Sequence, residues 1–159
     1  MKHLPKHLRP RWRYLAVRVE TWPDADVGRR AFQREVWYAA QNLLGDPGSA
    51  DADMTVIRFA HNDGTGHAIV RVRRGHIDEA RAALACIDAI DGHPVGLRVT
   101  GTSGTVRACE EKYIGGPAEP FEQRHVVFEN AERHADARGK RVDVRTDDAF
   151  AGATDLDFR

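Results

Sequence analysis

The chain has 159 residues, of which 42% are hydrophobic and 30% charged, with 24 basic side chains matched by 24 acidic ones. This length and apolar content suffice for the core of one domain, and no apolar run approaches the roughly 18 residues of a membrane span. Neither zinc nor disulfide spacing surrounds Cys86 and Cys109, so we expect two reduced core cysteines in helices, no metal and no disulfide.

The charges are unevenly distributed along the chain. Residues 1–114 carry 17 Lys/Arg and 14 Asp/Glu, whereas residues 115–159 carry 7 and 10. Arginine outnumbers lysine 20 to 4, and aspartate outnumbers glutamate 15 to 9. Such usage suits an organism that lives in high salt, where surfaces are usually acidic, so a basic body indicates a polyanionic partner. No signal-type apolar segment follows the N-terminus, which predicts a cytoplasmic protein without membrane attachment.

Residues 1–12 are predicted to form a basic N-terminal arm. Together with Arg13 they hold five Lys/Arg and two His without an acid. Pro5 and Pro10 exclude a helix, and Trp12 stands among the cations. Such a segment suits docking against phosphates and the face of a base. The alternative is a solvated, frayed terminus.

Residues 13–114 alternate between strand and helix periodicities. The predicted elements, in chain order, are a strand at 13–20, a helix capped near Asp24 and Asp26 that ends at 45–48, strands at 54–60 and 67–73 around a loop at 61–66, a helix with its apolar stripe over 77–90, and a strand over 95–99. This β-α-β-β-α-β order is that of an α/β sandwich of the ferredoxin-like or RNA-recognition type. An additional short helix follows the last strand.

Strand alternation places five arginines on the sheet face that the two long helices leave open. They are Arg18, Arg58, Arg71, Arg73 and Arg98. Such a face could bind a polyanion. Alternatively, it is an ordinary solvated face, or one partly covered by the helix after Gly104. The third strand lacks the aromatic residues of a base-stacking platform, which favours contact with the backbone of a folded RNA, or with protein.

The stretch from Arg98 to Ile114 is predicted to run from a strand through a Gly/Ser/Thr turn into a short amphipathic helix. Val106, Cys109 and Tyr113 fall on one face of that helix. Ser103 or Thr105 can cap it, and a helix start of this kind can also hold a phosphate.

Residues 115–159 form an acidic C-terminal extension that begins with a predicted linker at 115–120. Short strands are predicted at 126–128 and near 142–144. The acidic, Phe-containing end allows two interpretations that the sequence does not separate. It is partly disordered until a partner binds, or it keeps the protein soluble in salt.

No catalytic constellation is recognisable in the sequence. Glu110 and Glu111 are neighbours in a helix and therefore point in different directions. His3 and His7 lie in a Pro-bounded segment without a third metal ligand. There is no nucleophile elbow and no P-loop. We therefore expect no protein active site.

Taken together, several segments resemble the archaeal ribonuclease P protein component 2 family, which has relatives in eukaryotic ribonuclease P and MRP. The resemblance covers about residues 1–114, and the Ser-Gly-Thr segment with its helix is its most specific part. The segments that carry it are Leu4–Arg9 leading to Arg13–Leu15, Leu43–Asp46, Arg81–Leu84 and Ser103–Glu110.

The resemblance implies a noncatalytic subunit of a ribonucleoprotein that removes 5′ leaders from precursor tRNA. In this family the RNA carries the chemistry with bound magnesium, and the protein itself binds no cofactor. The implied partners are ribonuclease P RNA, ribonuclease P protein component 3 in a two-plus-two heterotetramer, and precursor tRNA through the complex.

We expect the RNA to contact the basic arm, the arginine face and the Ser-Gly-Thr turn. The candidate residues are Lys6, Arg9, Arg11, Arg13, Arg18, Arg71, Arg73, Arg98, Ser103, Gly104, Thr105 and Arg107. Two other functions remain open from the residues alone. One is a ferredoxin-like small-molecule regulatory or assembly domain without RNA, and the other is a stand-alone nuclease, which no residue supports.

Overall fold

The computed structural model describes residues 4–114, 122–147, 149–154 and 157, without the side chain of Phe150. The first part of the chain contains a 3-10 turn, five strands and three helices, the last of which continues into a turn of π-helix. In chain order these are the 3-10 turn Lys6–Leu8, β1 Trp12–Thr21, α1 Arg29–Ala52, β2 Thr55–Asn62, β3 Thr65–Arg73, α2 Ile77–Ala85, β4 Ala89–Ile90, β5 His93–Ser103, α3 Val106–Cys109 and the π turn Glu110–Ile114.

The strands β1 to β5 form one antiparallel sheet in the order β2-β3-β1-β5-β4. Strands β2, β3, β1 and β5 have the arrangement of a ferredoxin-like sandwich, and the short β4 adds a hairpin at one edge. The fold class predicted from the sequence is therefore confirmed. We call this part of the chain, from β1 to the π turn, the core domain.

Alternate residues of β1 face the two long helices. Leu15, Val17 and Val19 are fully buried and pack in one cluster with Phe32 and Val36 of α1. The same cluster includes residues of α2 and β3. Because successive strand residues point to opposite faces, the intervening residues of β1 face the other side of the sheet, where the candidate arginines lie.

Helix α1 extends beyond the predicted stop at 45–48. The backbone leaves helical geometry at Gly45, with φ of 73°, and resumes it up to Ala52. Glycine adopts this φ without a Cβ clash, and Pro47 is tolerated because it lies in the first turn of the resumed helix. The helix also begins later than predicted, after Gly28, so neither Asp24 nor Asp26 caps it.

Two connections are tighter than predicted. Strands β2 and β3 consume most of the predicted loop at 61–66 and leave only Asp63 and Gly64, with φ of 51° and 81°, as a two-residue hairpin turn. Similarly, β5 continues to Ser103 and takes up part of the predicted Gly/Ser/Thr turn.

Helix α2 is shorter than predicted. It ends at Ala85, and Ile90 lies in β4, opposite His93 of β5. Because the helix stops before Cys86, that cysteine is exposed, so its assignment to the core is wrong. Cys109 is buried in α3, as predicted.

The described part of the acidic extension forms a second antiparallel sheet. Its strands, which we call together the C-terminal sheet, pair in chain order and are β6 Glu122–Phe128, β7 Ala131–Arg138, β8 Arg141–Arg145 and β9 Phe150–Thr154. The predicted strands at 126–128 and 142–144 lie within β6 and β8, whereas β7 and β9 were not predicted. The predicted linker at 115–120 lies outside the described residues.

The C-terminal sheet contacts the core domain through arginines. Arg138, only 1% exposed, donates hydrogen bonds to the backbone oxygens of Thr21 and Gly64, each at 3.3 Å. Arg141 donates to both carboxylate oxygens of Glu20, at 3.1 and 3.3 Å. Hydrogen bonds and ion pairs from Arg138 and Arg141 therefore join the C-terminal sheet to the core domain.

Candidate nucleic-acid interface

The five arginines predicted for the open sheet face do share one face. In β1 the register pairs Arg18 with Arg98 of β5, and Tyr14 with Arg71 of β3. Trp12 pairs with Arg73. A register shift in β2 brings Arg58 opposite Ile69, which belongs to the same face. Alternation was sufficient to place the arginines of β1, β3 and β5, whereas Arg58 reaches this face through the register shift in β2.

The middle of this face is covered rather than open. Cys109 of α3 is buried against Ala16 and Ile69, and Val106, Tyr113 and Ile114 pack around them. Glu110 of the π turn lies 2.8 Å from Nε of Arg58, so that arginine is ion-paired. The alternative in which the helix after Gly104 partly covers the face is therefore the one that the structure shows. The candidate arginines other than Arg58 lie toward the two ends of the face.

At one end, Trp12 organises the neighbouring arginines. The guanidinium carbon of Arg71 lies 4.0 Å from the centre of the indole ring, and that of Arg73 lies 5.7 Å away. A guanidinium over a tryptophan face is held by a cation–π interaction while its N–H groups stay available to an anion. Trp12 therefore presents two arginines side by side.

The basic arm is anchored at the same end. The backbone oxygen of Arg11 accepts a hydrogen bond of 2.9 Å from the backbone N–H of Arg74, which continues the pairing of β1 with β3. An open groove of about 650 Å³ lies between the arm and the end of β3. Its lining residues are Leu8, Pro10, Arg11, Asp51, Arg73, Arg74, Gly75 and His76. The lining holds three arginines against one carboxylate, that of Asp51, and is therefore basic, although Arg73 also lies 3.7 Å from Asp53 outside the lining.

Arg74 was not among the residues predicted from the sequence. The end of β3 reads Arg71-Val72-Arg73-Arg74, and the last of these follows the strand. Alternation assigns only Arg71 and Arg73 to the open face, whereas the backbone pairing of Arg11 with Arg74 brings the latter into the groove. No periodicity in the sequence indicates that pairing.

Within the arm itself, Lys6, Arg9 and Arg11 are exposed. Lys6 begins the 3-10 turn, and Nε of Arg9 donates a 2.8 Å hydrogen bond to the backbone oxygen of Leu4. The arm therefore has a local fold, which the interpretation as a frayed terminus did not include. Its cations lie on the surface beside the groove.

The Ser-Gly-Thr segment reaches the same end of the sheet. Ser103 pairs with Tyr14 in β1, and a Cβ at Gly104 would lie 3.2 Å from Nη1 of Arg13. The hydroxyl oxygen of Thr105 accepts a 3.1 Å hydrogen bond from the N–H of Ala108, so Thr105 is the predicted cap. Arg107 is exposed and pairs with Glu111 at 2.9 Å.

Replacement of Thr105 by alanine is expected to lower the free energy of unfolding by about 1 kcal/mol, because the N–H of Ala108 loses its acceptor. Urea unfolding followed by circular dichroism measures the change. Thr105→Ser keeps the hydroxyl and is the matched control, expected to stay near wild type. Equal losses in the two variants would contradict the capping role.

Two of the twelve candidates lie elsewhere. Arg18 and Arg98 pair at the opposite end of β1, near the C-terminal sheet. Nε of Arg18 lies 3.2 Å from Glu20, and both side chains are largely buried. Burial, together with the charge of Arg18, lowers the pKa of the neighbouring His67, so that histidine adds no positive charge at neutral pH. At this end Arg18 is buried and paired with Glu20, whereas Arg98 is exposed.

The remaining ten candidates, with Trp12 and Arg74, form what we call the arm-end surface. Its members are Lys6, Arg9, Arg11, Trp12, Arg13, Arg71, Arg73, Arg74, Ser103, Gly104, Thr105 and Arg107. They come from the arm, from the first residues of β1, from the end of β3 and from the segment that leads from the end of β5 into α3. A concentration of arginines beside an aromatic ring is suited to bind the phosphates of a nucleic acid.

Two kinds of feature are absent from the residues that the structure describes. No group of three or more His, Cys, Asp or Glu side chains in that part of the chain is arranged to hold a metal ion. In the same residues, no helix combines the length and the apolar character needed to cross a membrane.

Comparison with known proteins gives consistent matches. Residues 13–114 match the model of the Rpp14/Pop5 family. A protein of Haloarcula marismortui named ribonuclease P protein component 2 is 70% identical, with 100% of both chains covered. The protein of that name from Halorubrum lacusprofundi is 62% identical over 99% of each chain.

A more distant relative matches only part of this chain. The ribonuclease P protein component 2 of Thermococcus kodakarensis is 37% identical and covers 71% of this chain, but 91% of its own length. More than a quarter of this chain therefore has no counterpart there, whereas the Haloarcula protein matches all of it. The resemblance inferred from the sequence is confirmed: the chain belongs to the Rpp14/Pop5 family, among relatives named ribonuclease P protein component 2.

Proposed function

We propose that this chain is a noncatalytic protein subunit of ribonuclease P and that it binds the RNA of that enzyme through the arm-end surface. The observation that carries the proposal is the convergence of Arg11, Arg73 and Arg74 on one open groove, beside the Trp12–Arg71 stack. Ribonuclease P is proposed as the enzyme because the relatives of this chain are named as one of its protein components. The covered middle of the sheet argues against a platform on which bases stack.

The arm-end surface acts by offsetting phosphate repulsion. Close packing of RNA helices brings phosphates together, and fixed guanidinium groups lower the cost of that approach. Arginine suits this role because its planar fork can bond two phosphate oxygens at once. In the proposed complex the RNA holds magnesium and carries out cleavage of the 5′ leader, while this chain stabilises the RNA geometry at lower magnesium concentration.

The proposal includes the partners that the sequence implied. We expect the chain to bind ribonuclease P protein component 3 in a two-plus-two heterotetramer, to meet precursor tRNA only through the assembled complex, and to work in the cytoplasm without a cofactor of its own. Copurification from the native cell tests this composition. Recovery of the chain without ribonuclease P RNA or a second protein of the complex would contradict it.

The RNA contact is tested by a triple variant, Arg11→Ala with Arg73→Ala and Arg74→Ala. Each lost phosphate contact should lower the slope of log affinity against log salt by about one. We therefore expect a slope smaller by about three and affinity reduced roughly tenfold or more at moderate salt. Filter binding of the folded ribonuclease P RNA across a potassium chloride series measures both.

Arg81→Ala is the matched control, because Arg81 is an exposed arginine on α2, on the opposite side of the sheet. Arg18→Ala should also have little effect on RNA binding, since Glu20 already neutralises that arginine. In a reconstituted enzyme, the triple variant should need more magnesium for half-maximal cleavage. An unchanged slope and an unchanged magnesium requirement would defeat the proposed RNA contact.

A further inference from the structure

The contact between the core domain and the C-terminal sheet contains a buried group of charges. We call it the docking cluster and define it as Glu20, Asp136, Arg138, Arg141 and Asp143. Asp136 and the side chain of Arg138 are 0% exposed, and Glu20 is 7% exposed. The members come from β1, β7 and β8, so the cluster exists only while the sheet is docked.

Both terminal nitrogens of Arg138 have hydrogen-bond partners in this cluster. It donates a 2.8 Å hydrogen bond to Asp143, lies 3.7 Å from Glu20, and reaches two backbone oxygens of the core domain. Asp136 differs. Its carboxylate approaches Arg138 only to 3.7 Å, and within the described part of the chain neither of its oxygens accepts a hydrogen bond. A buried carboxylate without hydrogen bonds is costly when ionised and much less so when protonated.

We propose that docking of the C-terminal sheet on the core domain is a proton-sensitive latch, tight when Asp136 carries a proton and looser when Asp136 is ionised. The surroundings of Asp136 contain charges of both signs. Those that face it from its own strand, from β8 and from the core domain are Arg138, His134, Asp143, Arg145, Arg141, Asp24 and Glu20.

The effect of burial on the pKa of Asp136 outweighs that of the neighbouring arginines. Loss of hydration raises the pKa of Asp136 to about 6; Arg138 opposes this rise, while the like charge of Asp143 adds to it. Burial also raises the pKa of Asp143. A carboxyl whose pKa is higher in the docked state binds its proton more tightly there. Docking is therefore favoured as pH falls below about 6, and that contribution is lost as pH rises through 6.

The latch lies at the end of the sheet face that carries Arg18 and Glu20. Glu20 is held by Arg141 from the C-terminal sheet and by Arg18 from its own strand, at 3.1 and 3.2 Å. Trp22 is 3% exposed, and Arg145 lies 5.2 Å from the centre of its ring. A looser latch would expose Trp22 and leave Glu20 to Arg18 alone, whereas the arm-end surface lies at the other end of β1 and is left unchanged.

Hydrogen exchange of the full chain tests the latch. Protection of β7 and β8 amides, corrected for the pH dependence of intrinsic exchange and divided by that of β1 and β3, should fall about tenfold from pH 5 to pH 7.5, as a pKa of about 6 requires. Potassium chloride is held constant. Asp136→Asn removes the main titrating group, so its profile should be clearly shallower than that of wild type, with the contribution of Asp143 remaining, and its protection at pH 7.5 should be higher.

Asp147→Asn is the matched control, because the side chain of Asp147 is 98% exposed. It should follow the wild-type profile. A flat wild-type profile would overturn the proposal without any variant, and so would a wild-type slope that persists in Asp136→Asn. The wild-type profile alone therefore decides the outcome if the Asn variant does not fold.

Discussion

Replacement of Arg138 by alanine is expected to release the C-terminal sheet from the core domain, at a cost of about 3–5 kcal/mol. The arginine side chain is completely buried, and it lies within 4 Å of three carboxylates, those of Glu20, Asp136 and Asp143. Without it Asp136 and Asp143 would each lose this ion pair, Glu20 would keep its pairs with Arg18 and Arg141, and the backbone oxygens of Thr21 and Gly64 would lose a donor.

Denaturant unfolding should show the loss as a separate early transition. Amides of β6 to β9 would lose protection in that transition, while those of β1 to β5 keep it, which hydrogen exchange followed by mass spectrometry resolves. Arg107→Ala is the control, since its ion pair with Glu111 is almost fully exposed and contributes little. Asp143→Asn in the Arg138→Ala background should recover part of the loss. A single unshifted transition for Arg138→Ala would contradict this role.

The core domain was predictable because its elements have clear periods. Leu15, Val17 and Val19 repeat every second residue, and Phe32 and Val36 lie one helical turn apart, so element type and order followed from the sequence. The errors occur where local signals compete. Gly45 and Pro47 ordinarily end a helix, yet here Gly45 forms a break after which helical geometry resumes.

The C-terminal sheet shows what periodicity does not reveal. Arg138 bonds the backbone of Thr21, 117 positions earlier, and no local pattern distinguishes it from an exposed arginine. Strand β7 reads Ala-Glu-Arg-His-Ala-Asp-Ala-Arg, which contains only alanine, charged residues and histidine and none of the β-branched side chains typical of a strand. Its burial depends on the docking contact, which joins distant parts of the chain.

The sequence predicted which residues share the candidate site better than it predicted which of them remain available to a ligand. Alternation correctly assigned Arg71 and Arg73 to one face with Arg18. It did not indicate that Glu20 pairs with Arg18, nor that Arg74 joins Arg11. Charge neutralisation is a property of contacts in three dimensions, so a sequence lists cationic residues without showing which of them stay available.

The position of α3 over the sheet depends on the absence of a side chain at Gly101. The ring of Tyr113 lies directly on this glycine, and a Cβ there would overlap the ring atoms. Gly101→Ala is therefore expected to cost about 3 kcal/mol, the upper part of the range for overpacking, because Tyr113 also bonds the backbone oxygen of Thr102 at 3.4 Å. Thermal or urea unfolding measures the loss.

Gly96→Ala in the same strand is the matched control, since a Cβ there would lie 3.9 Å from the nearest heavy atom, that of Glu20. It should change stability by less than about 1 kcal/mol. Tyr113→Ala removes the ring that the new methyl group would meet. The double variant should therefore be more stable than the sum of the single changes predicts, by about 1 kcal/mol or more.

Gly101→Ala should also change RNA binding, although Gly101 carries no charge. Displacement of Tyr113 would move the π turn and α3 away from Ala16 and Ile69 and would uncover apolar sheet surface. The arginines of the arm-end surface would remain, so the salt dependence of RNA binding should persist while affinity falls with the disturbed Ser103–Arg107 segment. If the salt slope collapsed as in the triple arginine variant, α3 would have to position the arginines themselves rather than only cover the sheet between the two ends of its face.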